Sequence, residues 1–436
     1  QQTMTDNSLP DRSKAPATGD FAPRSLPAPA DRMLDNGILR RCLHREDYEL
    51  VRIDVVCPSG SMEFLPSVAV LHGRMLKEGS LNYSGEQIAE TLDYNGASVV
   101  AMPSNHHTVV SLTALRRNIH KVLPVFFDLL CRPAVPLKEL DAEKRQMITE
   151  LQCNRETPAF NAREEMRRLL AGRSHRFAMA ESAEGIRDIS VEMLLRCHQA
   201  CLNPQETTAY VAGFADDSLI SEIDGYLADI KSCGPSALPQ AGIFMPEAAG
   251  EYNVQVDGSL QHAVVAAAPV AVCSASDTGF WPLRLAIHAL GGYFGSRLMQ
   301  NIREDKGYTY GIYAQLNTMR EGSFATISCE CDPTYTAGVL SEINTELLRF
   351  AAEPMGADEH HRLQLSLASR LAGMCDTPMK VQAQLVSQHI NGQSPRYYDM
   401  FWEALRQTSP EQMSQAVGQY LPIDAMRTVI AGDFKK

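Results

Sequence analysis

Five residues recur in this chain at one constant interval. Ser190, Glu192, Leu202, Ala212 and Gly213 return as Ser409, Glu411, Leu421, Ala431 and Gly432, each 219 positions later (409 − 190 and 432 − 213 alike). Pro204, at the bend of the first copy, is answered by Ile423 beside Pro422. Each copy reads as a serine-capped helix, a bend near proline and a short apolar strand. The strands are Tyr210-Val211-Ala212-Gly213 and Val429-Ile430-Ala431-Gly432. A register held through two kinds of element, with no inserted residue, points to a duplicated unit. The chain is therefore read as two similar halves, and its fold must build the same unit twice.

The intervening segments fit that reading. Asp35-Asn36-Gly37 is a hairpin turn signal. From Tyr48 to Cys57 the pattern alternates, with Val51, Ile53 and Val55 on one side and Arg52 and Asp54 on the other, which predicts a half-buried strand. Ser84 to Gln87 forms a capping box ahead of Ile88 and Leu92. Residues 97–100 and 108–115 read as paired strands, and residues 119–130 as an amphipathic helix that contains Pro124, an unfavourable interior residue, and ends near Pro133. Glu139 to Arg155 carries Leu140, Met147, Ile148 and Leu151 on one stripe and predicts a long helix. The second half repeats the order: a strand at 261–270, helices at 280–290 and 295–305, strands at 308–316 and 323–331. Helices follow near 333–352, 357–374, 379–391 and 396–407.

The expected fold class is α+β. Two homologous α/β-sandwich-like halves each carry a mostly antiparallel sheet with helices packed on one face. Residues 1–30, rich in Pro, Asp, Ser and Ala and without periodicity, read as an extended or disordered arm. The first half is placed at 31–231, a Pro-, Gly- and Ala-rich linker at 232–250, and the second half at 251–436.

Composition narrows the function. With 52 acidic and 40 basic residues the net charge is −12, which disfavours nucleic acid, since phosphate backbones are held by basic patches. No apolar run is long enough to span a membrane. The eleven cysteines lie mostly in apolar segments. Neither Cys329-Glu330-Cys331 nor the pair Cys197 and Cys201 has the CxxC spacing of a zinc site, so the cysteines read as small buried hydrophobes. Gln rather than Met at position 1 is read as fitting an exported mature protein.

Two stretches of the second half could carry chemistry. Leu290-Gly-Gly-Tyr-Phe-Gly-Ser-Arg-Leu298 has the glycines for close backbone approach, without the Gly-Lys-Ser/Thr of a phosphate loop. In Ile302-Arg-Glu-Asp-Lys-Gly-Tyr-Thr-Tyr310 a helix ends, Gly307 turns the chain and a strand begins. Arg303 and Tyr310 could then donate to a carbonyl or a developing oxyanion. By spacing alone the simpler reading is an exposed helix-end arginine and a strand tyrosine packed by its ring.

Taken with Val68 to Ser80 and Glu139 to Glu150, these stretches, in this order, resemble the pitrilysin/insulinase-type metallopeptidases. They are closest to the branch typified by bacterial and mitochondrial-processing-peptidase subunits. The resemblance covers roughly residues 34–434 and includes Leu34-Asp-Asn-Gly37, Met75-Leu-Lys-Glu-Gly-Ser80 and the Ala-Gly strand closing each half. In active members, H-x-x-E-H and a downstream glutamate hold a catalytic zinc. That motif falls on Val70-Leu71-His72-Gly73-Arg74, so valine and arginine replace the two ligands and glycine replaces the general base. Glu150, 76 residues after Arg74, matches the downstream glutamate, with Glu143 nearby on the same predicted helix. Arg74 and Glu150 are expected to pair and fill the degenerate site. His72, His106, His107 and Glu150 offer the residue types of a different metal site; the simpler reading is an ordinary helix histidine, with His106 and His107 in an exposed turn.

The resemblance assigns Arg303 and Tyr310 to substrate and transition-state contacts, and Gly291, Gly292 and Gly295 to substrate binding. It implies a non-catalytic subunit of a heterodimeric zinc peptidase, without metal of its own. A homologous partner would bear H-x-x-E-H and the zinc, and the two chains would close as a clamshell on unfolded peptides. A scaffold or peptide-binding protein without proteolysis, and a lone enzyme with altered metal chemistry, are the alternatives. The expected location is the bacterial periplasm or cell envelope, with the mitochondrial matrix or cytoplasm as alternatives.

Overall fold

The computed structural model describes residue 13 and residues 25–231 and 240–435. Most of the predicted arm, and residues 232–239 of the predicted linker, lie outside the described residues.

Two sheets form the frame. The first contains β1 (Ala30–Met33), β2 (Leu39–His44), β3 (Leu50–Cys57), β4 (Ser98–Pro103), β5 (Thr108–Leu115) and β6 (Thr208–Gly213), in the order β1-β2-β6-β3-β5-β4. The second contains β7 (Gly250–Gln255), β8 (His262–Val270), β9 (Thr309–Thr318), β10 (Ser323–Cys331) and β11 (Arg427–Gly432), in the order β7-β11-β8-β10-β9. Apart from the added edge strand β1 the two orders are the same. β2 with β6, and β7 with β11, are the parallel pairs; the remaining pairs are antiparallel. The repeat thus marks equivalent strands, β6 and β11, each paired in parallel on one side and antiparallel on the other.

The repeated serines cap their helices as expected. Ser190 Oγ accepts from the Met193 amide, and Ser409 Oγ from the Gln412 amide with the reciprocal Gln412 bond. Gly213 closes β6 at φ +106°, and a Cβ there would lie 1.7 Å from the Leu50 carbonyl oxygen, so only glycine fits. The helix predicted over 119–130 is present as Ile119–Cys131, unbroken at Pro124. The predicted helix at 295–305 becomes a π-helical turn over Met299–Asp305, a geometry found often at functional sites.

One expectation for β3 fails. The alternation of Val51 to Asp54 predicts a solvent face, yet Asp54 and Val56 are as closed to water as Ile53. The cause is a helix from the other half. Pro378–Ile390, in the second half of the sequence, packs across β2, β3 and β6 of the first sheet. Pro158–Ala171, from the first half, packs across β8 and β11 of the second. Both helices begin with Thr-Pro: Thr157-Pro158 and Thr377-Pro378.

Each sheet therefore has helices of its own half on one face and the exchanged helix on the other. Val264 and Ala268 join the helical core of their own half, whereas Ala263, Val265 and Ala267 pack with Ala162, Met166 and Leu170 of the other. The second part of the predicted linker runs along the exchanged helix. Met245 and Glu247 donate backbone N–H groups to the Ala171 and Leu169 carbonyls, and Phe244 stacks with Phe177.

Candidate functional site

The degenerate motif lies on the Pro66–Met75 helix, which packs against the long Leu137–Arg155 helix. The Arg74 guanidinium meets Glu150 through two bonds, Nη1 to Oε1 at 3.2 Å and Nη2 to Oε2 at 2.6 Å, and reaches Glu143 Oε2 at 3.4 Å. Arg74 holds the Glu150 carboxyl below its usual range, chiefly through these hydrogen bonds. The expected pair is present, with Glu143 as its third member.

Val70 packs in the apolar cluster with Val68, Leu71, Met75 and Leu140. Gly73 faces β4 so closely that a Cβ would meet Ala101 at 3.3 Å. These residues do not fit a catalytic zinc. A permanent cation sits between the two carboxylates, Val70 is apolar, and the base position is closed by a strand.

His72 turns to the opposite side of its helix, since two residues separate side chains by about 200°. It is 4% exposed, and its Nε2 lies 3.2 Å from Nδ1 of His198. Burial pushes His72 down to about 3 and His198 to about 4, so both rings are neutral near pH 7. The alternative metal set does not form: His72 is joined to His198, Glu150 to Arg74, and His106 to two other carboxylates.

The exposed turn expected at His106 and His107 is instead part of the boundary between the halves. His106 Nδ1 is 2.8 Å from Glu63 Oε1, and its Nε2 is 2.8 Å from Glu321 Oε1 of the second half. Hydrogen bonds to Glu321 and then Glu63 raise His106 to about 9, against the opposing effect of burial. His107 is buried against the His389 ring, 5.3 Å between centroids. Glu63, His106, His107, Arg320 and Glu321 line a cleft of about 680 Å³.

In the second half, Arg303 sits in the π-helical turn and Tyr310 begins the edge strand β9, on either side of Gly307 at φ +65°. Arg303 pairs with Glu304 at 2.8 Å and lies over the Phe294 ring at 4.7 Å from its centroid. Tyr310 is 90% exposed. Among the described residues no hydrogen bond joins the two. Gly291 is required by packing: a Cβ would stand 2.5 Å from the Ala314 nitrogen on β9. Gly291 and Gly292 line a cavity of about 370 Å³ with Arg284, His288, Tyr313 and Arg370. Gly295 does not line it.

The approach of His72 to two cysteines was not legible in the sequence. One ring nitrogen of His72 and the sulfurs of Cys197 and Cys201 all lie within 4.8 Å of one another. The two cysteines sit one helical turn apart on Val191–Cys201, which packs on the His72 helix. Their spacing is visible in sequence, but the histidine that meets them comes from a segment 125 residues earlier (197 − 72).

Comparison with known proteins bears on the whole chain. Residues 43–176 match the family model described as Insulinase (Peptidase family M16), and residues 188–367 the model described as Peptidase M16 inactive domain. An uncharacterized zinc protease of Bacillus subtilis, YmxG, is 23% identical over 282 residues, covering 64% of this chain and 67% of the relative. The uncharacterized zinc protease SCO5738 of Streptomyces coelicolor is 22% identical over 315 residues, 70% and 67% of the two chains. Among solved structures, a peptidase M16 inactive domain from Pseudomonas fluorescens superposes with a TM-score of 0.83 at 22% identity, covering 93% of this chain and 98% of that one. The periplasmic protease PqqL from Escherichia coli gives 0.77 at 17% identity, covering 99% of this chain and 49% of PqqL. At these identities the structural matches speak to the fold alone.

Proposed function

The chain belongs to the insulinase family of peptidases, M16, and from that premise we propose that it is the non-catalytic subunit of a two-chain zinc peptidase. The observation that carries this reading is the Arg74 guanidinium held between Glu150 and Glu143 at the family's metal position. Hydrolysis then requires a zinc supplied by a homologous partner bearing H-x-x-E-H. The two chains enclose an unfolded peptide, whose extended backbone is what such a chamber can grip. Tyr310, exposed on an edge strand, and Arg303, in the π-helical turn before that strand, donate to the substrate carbonyl as it becomes an oxyanion. Gly291 and Gly292 line the neighbouring cavity, and Gly295 completes the segment assigned to substrate.

No helix among the described residues is long and apolar enough to cross a membrane. The proposed location is the bacterial periplasm or cell envelope.

One observation favours a second reading, a scaffold or peptide binder without proteolysis. Arg303 is already paired with Glu304 and stacked on Phe294, so it needs no substrate to satisfy it. Co-purification with a zinc-bearing homologue, followed by assay of the pair on unfolded peptides, separates the two. Activity that needs both chains, and falls about tenfold or more in Tyr310→Phe with assembly intact, supports the first. Full activity of the partner alone supports the second.

A further inference from the structure

The cluster formed by His72, Cys197 and Cys201 has the chemistry of a metal site. All three side chains are buried, and the three donor atoms fall within 4.8 Å of one another. Ligands on one tetrahedral zinc lie about 3.3–3.8 Å apart, given Zn–N near 2.0–2.1 Å and Zn–S near 2.3 Å, so side-chain shifts of about 1 Å close the site. A second observation points the same way. His72 Nε2 is engaged by His198, whereas Nδ1, equally buried, has no hydrogen-bond partner. When Nε2–H donates to His198 Nδ1, the Nδ1 lone pair of His72 is left bare. A buried polar atom without a partner is destabilising, and a metal ligand bond removes that penalty. His198 then acts as the outer partner that fixes the tautomer of a ligating histidine.

We propose that His72, Cys197 and Cys201 form a structural site for one divalent, thiophilic metal ion such as zinc, separate from the family's degenerate catalytic position. Charge favours a dication. Two thiolates and a neutral imidazole bring its net charge to zero, which a water-free site tolerates. Binding releases the two thiol protons, so affinity rises with pH. Ser59 Oγ, 2.8 Å from Cys201 Sγ, is the oxygen best placed to complete four-coordination. The ion clamps the Pro66–Met75 helix to Val191–Cys201, while Arg74 projects from the other side of the first helix.

The test is a cobalt(II) titration of the reduced, chelator-treated full chain in a Cys153→Ser/Cys273→Ser background, which removes two exposed thiols. The expected result is one equivalent bound, with thiolate-to-cobalt charge-transfer absorption, bleached by zinc. Cys197→Ser and Cys201→Ser should each weaken cobalt binding at least tenfold. Glu150→Gln should leave the absorption unchanged. Absence of the charge-transfer band in the parent protein overturns the proposal even if the cysteine variants do not fold. So does a band that survives Cys197→Ser/Cys201→Ser, or cobalt binding that shows no thiolate band and is lost in Glu150→Gln, which would place the ion at the family's position.

Discussion

Gln382 donates its side-chain amide to Asp54 at 2.8 Å, across the boundary between the two halves of the chain, and both residues are 0% exposed. Arg52, on the same strand, holds the other side of the carboxylate at 2.8 Å. The bond ties the exchanged Pro378–Ile390 helix to the middle of the first sheet. Gln382→Ala should lower stability by about 1–3 kcal/mol, because it leaves part of a buried carboxylate unsatisfied. Chemical denaturation of the two proteins measures it. The paired change Asp54→Asn/Gln382→Leu should recover part of the loss by removing the charge that needs the bond.

His106 bridges Glu63 and Glu321, and the sign of its pH effect follows from its raised pKa of about 9 against an ordinary 6.5. Its contribution is fully present below pH 6.5 and is lost as pH climbs through about 9. After solvent screening it is worth on the order of 1–2 kcal/mol. His106→Gln should remove that alkaline slope, read as the midpoint of thermal unfolding between pH 6 and pH 10. An unchanged slope would show that the bridge between the halves contributes nothing to stability.

At the Arg74–Glu150 pair the sign is the opposite. Glu150 is lowered by Arg74, so the pair stabilises above the ordinary carboxylate value of 4.5 and its contribution fades as pH falls through the lower folded value. Glu150 is 43% exposed, which limits the contribution to about 1 kcal/mol or less. Arg74→Leu should leave Glu143 and Glu150 as uncompensated neighbours and bring the Glu150 titration up to or above its ordinary value. Carboxylate NMR titration of the variant checks this directly.

Gly291 separates packing from substrate contact. Because a Cβ there meets the Ala314 nitrogen and Cβ at 2.5 and 2.7 Å, Gly291→Ala should destabilise the fold by about 1–3 kcal/mol whether or not peptide is present. Thermal unfolding without peptide reads this. A variant that melts normally but loses peptide affinity would make the glycine a binding residue.

The sequence carried the succession of most elements and the duplicated register, because these rest on local pattern, and the Arg74–Glu150 pair through the family resemblance. It did not carry the environment of Asp54. Alternation distinguishes the two faces of a strand but not what covers them, and the cover came from a helix more than 300 residues away. His106 was misplaced for the same reason: a turn histidine reads as exposed until the second half presents Glu321. The meeting of His72 with Cys197 and Cys201 likewise depends on how two helices pack. A signal of the exchange was present in the two Thr-Pro helix starts, whose spacing follows the repeat to within one residue.

That exchange has a mechanical consequence. Each sheet is covered on its second face by a helix belonging to the other half, so separating the halves would strip both sheets at once. A gene cut within residues 232–250 should yield two fragments that are insoluble when made singly and soluble when made together. The exchanged helices leave the two halves no way to part without uncovering a face of each sheet. If the chain works as proposed, the opening that admits a peptide lies where it meets its partner rather than between its own halves.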